Sequence, residues 1–120
     1  MIKFKSLNKS KEFLKILKKK KLNSKYFTLY FDENLNNKSK KYLNISFVMK
    51  KNIGNAVIRN RIKRKLKSAV QSILNKKQPI DLNYTYVIFG KNNVYKDKFI
   101  LILNELSEIF KKIKKSSNYS

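Results

Sequence analysis

The sequence has no cysteine and no histidine, and only two glycines in 120 residues. The first two absences exclude disulfides, thiol chemistry, the usual zinc sites and the commonest general base of enzymes. The shortage of glycine excludes a glycine-rich phosphate-binding loop. The seven acidic residues are scattered along the chain, and none forms a paired motif with a nucleophile. We therefore predict that the chain has no catalytic site and no metal site of its own.

Long apolar runs are also absent. Residues 1–21 contain no apolar stretch of the length found in signal peptides, and no later run approaches a membrane-spanning helix. We therefore expect a cytoplasmic protein without a membrane partner. With 42% hydrophobic and 12% aromatic residues, the chain can bury one modest core. This predicts a single domain over residues 1–120, with loose ends at 1–5 and 115–120.

Negative charge is scarce as well. Against the seven acidic residues stand 30 lysines and arginines, which give a formal net charge of +23. Internal ion pairs cannot neutralise such an excess, so an anionic partner is expected, and nucleic acid is the best match. The segment 38–78 contains no acidic residue at all. Its cations therefore gain no pairing with glutamates along a helix and repel one another.

Arginine is confined to one short segment. The only arginines, Arg59, Arg61 and Arg64, lie within "IGNAVIRNRIKRK", residues 53–65. A guanidinium grips two phosphate oxygens or stacks on a base, whereas lysine offers a point charge. The alternative interpretation is a solvated helix face, which is typical of charged helices in ordinary proteins. Because this lysine-rich chain keeps arginine only here, we predict that the segment binds nucleic acid.

The apolar pattern predicts an α+β fold. Helical periodicity covers about 10–21, 56–75 and 96–114, and strand patterns cover 25–31, 42–49 and 84–90. A further short strand near 22–24 is compatible with the sequence but unmarked, and the polar residues 32–41 predict a surface loop. We expect a small sandwich in which three helices cover one mixed sheet of about four strands, in the order αβββαβα.

Two of the predicted helices have clear apolar stripes. The stripe of the second helix consists of Ile58, Ile62, Leu66, Ala69 and Ile73. The stripe of the last helix consists of Phe99, Leu103, Leu106, Phe110 and Ile113. These residues recur at steps of three or four, so we predict that they face the core.

The segment "KKNIGNAVIRNRIKRKLK", residues 50–67, resembles the signature of the protein subunit of bacterial ribonuclease P. The similar features are a lysine pair, a Gly-Asn-Ala-Val-like turn, and Arg-Asn-Arg followed by a basic amphipathic helix. The remaining elements follow in a similar order, so the resemblance spans roughly residues 4–113. It implies the ribosomal protein S5 domain 2-like fold, with an unusual left-handed β-α-β crossover.

The resemblance also implies a function. It implies a protein that binds a catalytic RNA and the 5′ leader of precursor tRNA, and assists the RNA in removing that leader. It implies Mg²⁺ held mainly by the RNA and the substrate phosphates, and no small-molecule cofactor. The residues that match the family's contacts with the RNA subunit are Lys50, Lys51, Asn55, Arg59, Asn60, Arg61, Lys63 and Arg64.

A separate cleft between the first helix and the sheet takes the leader in this family. The resemblance implies that it is lined here by Phe13, Leu17, Tyr30, Asn44 and Ser46. Aromatic rings suit this role because they stack on bases without demanding a sequence. Leu17 stands where many members have a second aromatic residue. Two alternatives stay open, since Phe13 and Tyr30 also fit ordinary core packing, and Asn44 and Ser46 an exposed strand face.

A ribosomal or other structural RNA-binding protein is the main alternative, because it shares the small size, the lysine excess and the α+β pattern. Such proteins are expected to have long basic tails, and this chain has only a short one at its C-terminal end. A regulator of duplex DNA lacks support, since no helix-turn-helix spacing surrounds the basic helix. A free-standing nuclease would need grouped carboxylates or histidines. We therefore interpret the chain as the RNA-binding subunit of a ribonucleoprotein enzyme.

Overall fold

Five strands form one mixed sheet in the computed structural model, which describes residues 2–7, 10–33, 42–77 and 79–117. The strands are β1 (Lys3–Lys5), β2 (Lys20–Asn23), β3 (Phe27–Glu33), β4 (Tyr42–Val48) and β5 (Tyr84–Gly90). The helices are α1 (Ser10–Ile16), α2 (Ala56–Asn75), α3 (Asn93–Lys96) and α4 (Phe99–Ser117). A 3₁₀ turn at Lys51–Ile53 precedes α2. The α+β class predicted from the sequence is confirmed, with one strand more than expected.

The strands lie in the order β1-β4-β5-β3-β2. β4 runs parallel to β1 and to β5, whereas β3 is antiparallel to β5 and to β2. The chain passes from β4 to its parallel neighbour β5 through α2, so the basic helix is the crossover of a β-α-β unit. The left hand of this crossover stays a prediction from the resemblance.

The two faces of the sheet are covered differently. Because side chains alternate along a strand, Leu29, Ile45 and Ile88 share one face, and all three are buried in the core with α2 and α4. Tyr30 and Phe89 point to the opposite face, which α1 partly covers. The fold is therefore layered, with one short helix on one side of the sheet and two long helices on the other.

The long helices bury most of their predicted stripes. In α2, all predicted residues except Ile58 are buried, and Val70 joins them. In α4, Leu103, Leu106, Phe110 and Ile113 are buried. Phe99 contradicts the prediction, since the residue is 37% exposed. It is the first residue of α4, so no preceding helical turn flanks it. Among the described helices, none is both long and apolar enough to cross a bilayer.

The end of the first helix differs from the prediction. The helix expected over 10–21 ends at Ile16, and Lys20–Asn23 instead form the edge strand β2. A run of four lysines carries mutual repulsion in a helix. In β2, Leu22 lies opposite Leu29 and packs against the core. Backbone pairing and this apolar contact outweigh the local helical pattern.

The chain ends also differ from the expectation of loose tails. Residues 3–5 form β1, which pairs with β4, and residues 115–117 continue α4. The last helix begins later than predicted, at Phe99, after the separate short helix α3. The surface loop expected at 32–41 is wrong for Asp32 and Glu33, because β3 extends through both residues. Residues 34–41 and 118–120 lie outside the described residues.

A carboxylate ties the junction of α3 and α4 to the rest of the fold. Asp97 Oδ2 accepts a hydrogen bond of 2.6 Å from Tyr26 Oη and lies 3.4 Å from Lys25 Nζ. Lys65 of α2 donates from its Nζ to the carbonyl oxygen of Asp97. The hydrogen bond from Tyr26, together with Lys25, lowers the pKa of Asp97, and the same bond raises the pKa of Tyr26 to about 12. Asp97 thus links α2 and α4 to the start of β3.

We expect Asp97→Asn to lower the thermal unfolding midpoint by a few degrees at neutral pH, because it removes the charge that Tyr26 and Lys25 bind. A carboxyl whose pKa falls on folding stabilises the native state above its unfolded pKa, about 3.9. That contribution is lost as the pH falls through the lower folded-state pKa. Calorimetry on wild type and variant should therefore show a difference that shrinks below about pH 4.

The matched control for this measurement is Glu33→Gln, at the exposed end of β3. We expect it to change the midpoint little at any pH, since surface substitutions away from such features have small effects. Equal unfolding midpoints for wild type and Asp97→Asn at neutral pH would show that the charge of Asp97 does not stabilise the fold.

Candidate nucleic-acid interface

The surface of α2 that does not face the core is cationic. Successive helical residues are about 100° apart, so the three arginines point in different directions. Arg59 is half-buried on the flank towards the end of β4, whereas Arg61 and Arg64 are exposed. Asn60 and Lys63 are exposed between them. We call this surface the cationic helix face, consisting of Arg59, Asn60, Arg61, Lys63 and Arg64.

The N-terminus of α2 is fixed by Asn55. Its side-chain Oδ1 accepts a hydrogen bond of 3.0 Å from the backbone N–H of Ile58, which makes Asn55 the N-cap. The structure therefore gives Asn55 a role in starting the helix, while its predicted contact with RNA stays a prediction. Lys51 is exposed in the preceding 3₁₀ turn, close in sequence to the cationic helix face.

Three aromatic rings meet on the other face of the sheet. The ring centroid of Phe89 lies 6.3 Å from that of Phe13 in α1 and 5.4 Å from that of Tyr30 in β3. The interplanar angles, 64° and 75°, are those of favourable edge-to-face pairs. All three rings are half-buried and lie outside the core cluster. The structure thus does not place Phe13 and Tyr30 in the core, and we call the three residues the aromatic cleft.

Lysines flank the aromatic cleft. Lys21 Nζ lies 6.0 Å from the centroid of Tyr30, and Lys50 Nζ lies 5.6 Å from that of Phe89. Both distances suit cation–π contacts. A cavity of about 280 Å³ continues from Phe89, and Thr28, Lys91 and Asn92 are among its lining residues. The structure therefore places Lys50 at this cleft, although the sequence grouped it with the contacts to the RNA subunit.

The other predicted cleft residues lie on or near the same face. Leu17 follows the last turn of α1 and is half-buried, and Asn44 is half-buried on β4. Ser46 is only 9% exposed, and its Oγ accepts a hydrogen bond of 3.0 Å from the backbone N–H of Leu7. The backbone of Leu7 therefore covers Ser46, so the alternative of an exposed strand face is wrong for this residue.

Phe89 and Lys21 lie at the aromatic cleft but were not predicted from the sequence. The alternation in "YTYVIFG" would have predicted the position of Phe89. Tyr86 and Ile88 face the core, so Phe89, next to Ile88, must point to the other face of the sheet. Phe89 also supplies a second aromatic ring beside Phe13. Lys21 was assigned to a helix, so its pairing with Tyr30 across β2 and β3 could not be foreseen.

The fold and its two surfaces define a small basic α+β protein, with a cationic helix on one side of its sheet and an aromatic cleft on the other. Comparison with known proteins agrees with this class. The family model described as Ribonuclease P matches residues 1–114. The chain belongs to the ribonuclease P protein family.

Individual relatives cover nearly the whole chain. The ribonuclease P protein component of Carboxydothermus hydrogenoformans is 34% identical over 117 residues, which cover 97% of both chains. That of Mesomycoplasma hyopneumoniae is 32% identical over 117 residues, covering 97% of this chain and 98% of the relative. The RNase P protein from Thermotoga maritima has a similar fold, with a TM-score of 0.69 at 22% identity over 90% of this chain and 96% of that chain.

Proposed function

We propose that this chain is the protein component of ribonuclease P and takes part, with an RNA component, in forming the 5′ end of mature tRNA. Its membership of the family supports this role. The structural observation that carries the proposal is the presence of two different surfaces on opposite faces of one sheet. One is rich in guanidinium groups, and the other combines aromatic rings with lysines.

The cationic helix face is the surface proposed for the RNA component. Exposed Arg61 and Arg64 can each bind two phosphate oxygens, and Lys63 adds a third cation on the same helix. Such contacts release counterions from the RNA, which gives affinity that falls with salt. A rigid helix of 20 residues suits a structured RNA surface, since its side chains keep fixed spacing.

The aromatic cleft is the surface proposed for the single-stranded leader. The rings of Phe13, Tyr30 and Phe89 can stack with bases of any kind. Lys21 and Lys50 lie beside these rings, where they can bind the leader's phosphates. The half-burial of these rings leaves part of each accessible. This division of labour brings precursor tRNA and the RNA component to one small protein.

We propose that catalysis resides in the RNA, with Mg²⁺ held mainly by RNA and substrate phosphates. Among the described residues, no three histidine, cysteine, aspartate or glutamate side chains come together. The carboxylate of Asp97 is engaged by Tyr26 and Lys25. We also propose that the protein acts in the cytoplasm. A ribosomal role is not favoured, because the matching family and relatives are those of ribonuclease P.

The function is tested by cleavage of precursor tRNA at low Mg²⁺ concentration, with the cognate RNA component and with or without this protein. We expect the protein to stimulate cleavage strongly, because its cations replace part of the Mg²⁺ that otherwise screens the RNA and substrate phosphates. Protein alone should cleave nothing. A folded protein that leaves cleavage unchanged with its cognate RNA would contradict the proposed function.

The arginines are tested by changing Arg59, Arg61 and Arg64 together to lysine, which keeps the net charge at +23. We expect binding of the RNA component, measured by filter binding, to weaken about ten-fold, since bidentate contacts become single ones. The matched control changes three exposed lysines of α4, Lys111, Lys112 and Lys114, to arginine. This control should bind like wild type. Unchanged affinity of the arginine-to-lysine variant would show that charge alone matters.

The cleft is tested by Phe89→Ala. Loss of one stacking platform should weaken holoenzyme binding of precursor tRNA by about 1–3 kcal/mol. Binding of mature tRNA, which lacks the leader, should stay unchanged. The control is Tyr95→Ala, which removes an exposed aromatic side chain from α3. An equal effect of Phe89→Ala on both tRNAs would place the leader elsewhere.

A further inference from the structure

A second cavity lies on the core side of the sheet, where the end of β4 meets the first turns of α2. Its volume is about 320 Å³. Its lining residues are Phe47, Met49, Ala56, Arg59, Asn60 and Lys63. The strand side is apolar and consists of half-buried Phe47 and Met49, whereas the helix side offers a guanidinium, an amide and an ammonium group. No acidic side chain is among the described residues that line the cavity.

One hydrogen-bond donor of a residue that lines this cavity lacks an acceptor among the described residues. Arg59 Nε is buried and has no hydrogen-bond partner among the described residues. A buried donor without a partner costs free energy, and native structures nearly always satisfy such groups. Arg59 is also the only arginine of the three that lines this cavity. An acceptor supplied by a ligand would satisfy it.

The apolar side of the cavity packs against the neighbouring strand β1. The ring of Phe47 lies 6.1 Å from the ring of Phe4 in β1, centroid to centroid. Lys67 Nζ lies 6.0 Å from the centroid of Phe4, so α2 also packs over this strand. The ring of Phe47 is thus packed against β1 before any ligand arrives, which reduces the ordering cost of binding.

The chemistry of the cavity selects its occupant. An apolar wall opposite donors and cations fits a flat ring that carries acceptors and is attached to a negative charge, which describes a nucleotide. The exposed cations Arg64 and Lys67 continue along α2 from the cavity, so phosphates on either side of the inserted nucleotide also find partners. Phe47 and Phe89 point to opposite faces of the sheet, so this cavity is separate from the aromatic cleft.

We propose that this cavity binds one unpaired nucleotide of the RNA component, with its base against Phe47 and Met49 and an acceptor group at Arg59 Nε. This proposal rests on the proposed function, because it names a contact within the same complex. It differs from a general phosphate contact in that it requires a base to leave its helix or loop and enter the protein.

Two neighbouring residues allow a matched test. Ala56 lines the cavity, whereas Val57 is 60% exposed on the next position of the same first turn. Ala56→Phe fills the cavity without changing any charge, and Val57→Phe adds a similar ring outside it. We expect Ala56→Phe to weaken binding of the cognate RNA component about ten-fold, as expected for one lost base stack. Val57→Phe should change the affinity less than about two-fold.

The salt dependence of the same binding reaction distinguishes a cavity that binds a base from one that binds only a phosphate. If a base is displaced, the plot of log affinity against log salt for Ala56→Phe should run parallel to that of wild type. If the cavity holds only a phosphate, the slope should fall by about one unit. A fall in slope would therefore overturn the proposed nucleotide, and equal affinities of Ala56→Phe and Val57→Phe would overturn the site.

Thermal unfolding of each variant shows whether the fold is kept. If Ala56→Phe does not fold, Ala56→Leu is compared with Val57→Leu in the same assay, with the same expected order. Failure of the wild-type protein to bind its RNA component would contradict the proposed function as well. Normal binding by wild type together with normal binding by the filled variants would contradict this cavity alone.

Discussion

The burial of the apolar stripe of α2 against the sheet is the interaction on which both surfaces depend. The helix places three arginines and several lysines close together, and each like-charge pair four residues apart costs about 0.2–0.5 kcal/mol. Four of its buried side chains are large apolar groups, those of Ile62, Leu66, Val70 and Ile73, and each contributes about 1.5–3 kcal/mol. The free energy gained by burying these side chains is therefore several times the free energy lost to repulsion between the cations. Apart from Lys65, which donates to the carbonyl oxygen of Asp97, the cations of α2 can stay available to an anionic partner, because packing holds the helix.

This packing is close at Gly90, the last residue of β5. A Cβ atom there would lie 2.8 Å from Cγ2 of Ile62 and 2.6 Å from Sδ of Met49, which is closer than side chains tolerate. Any larger residue would push α2 away from the sheet. Phe89 precedes Gly90 and belongs to the aromatic cleft, while Met49 lines the cavity beside Arg59. One short contact thus fixes the distance between α2 and the strands that present the two surfaces.

How much the sequence could predict depends on the range of the interactions involved. α2 and β5 lie at their predicted bounds, because long periodic patterns and strong alternation are local features. The edge strands β1 and β2 were missed or unmarked, since they have three and four residues and exist only through pairing with distant or hairpin partners. The arginine segment could be found from composition alone. The environment of Arg59 could not, because it depends on where β4 ends against α2.

The register of β5 connects the fold to both surfaces. Ile88 faces the core and Phe89 faces the cleft, so a shift of one residue would exchange an apolar core side chain for an aromatic one. β5 pairs on one side with antiparallel β3 and on the other with parallel β4. A shift would have to break both ladders and expose Tyr86 and Ile88, which are fully buried. The same register of β5 therefore holds Tyr86 and Ile88 in the core and Phe89 in the aromatic cleft. A change of register would disrupt both.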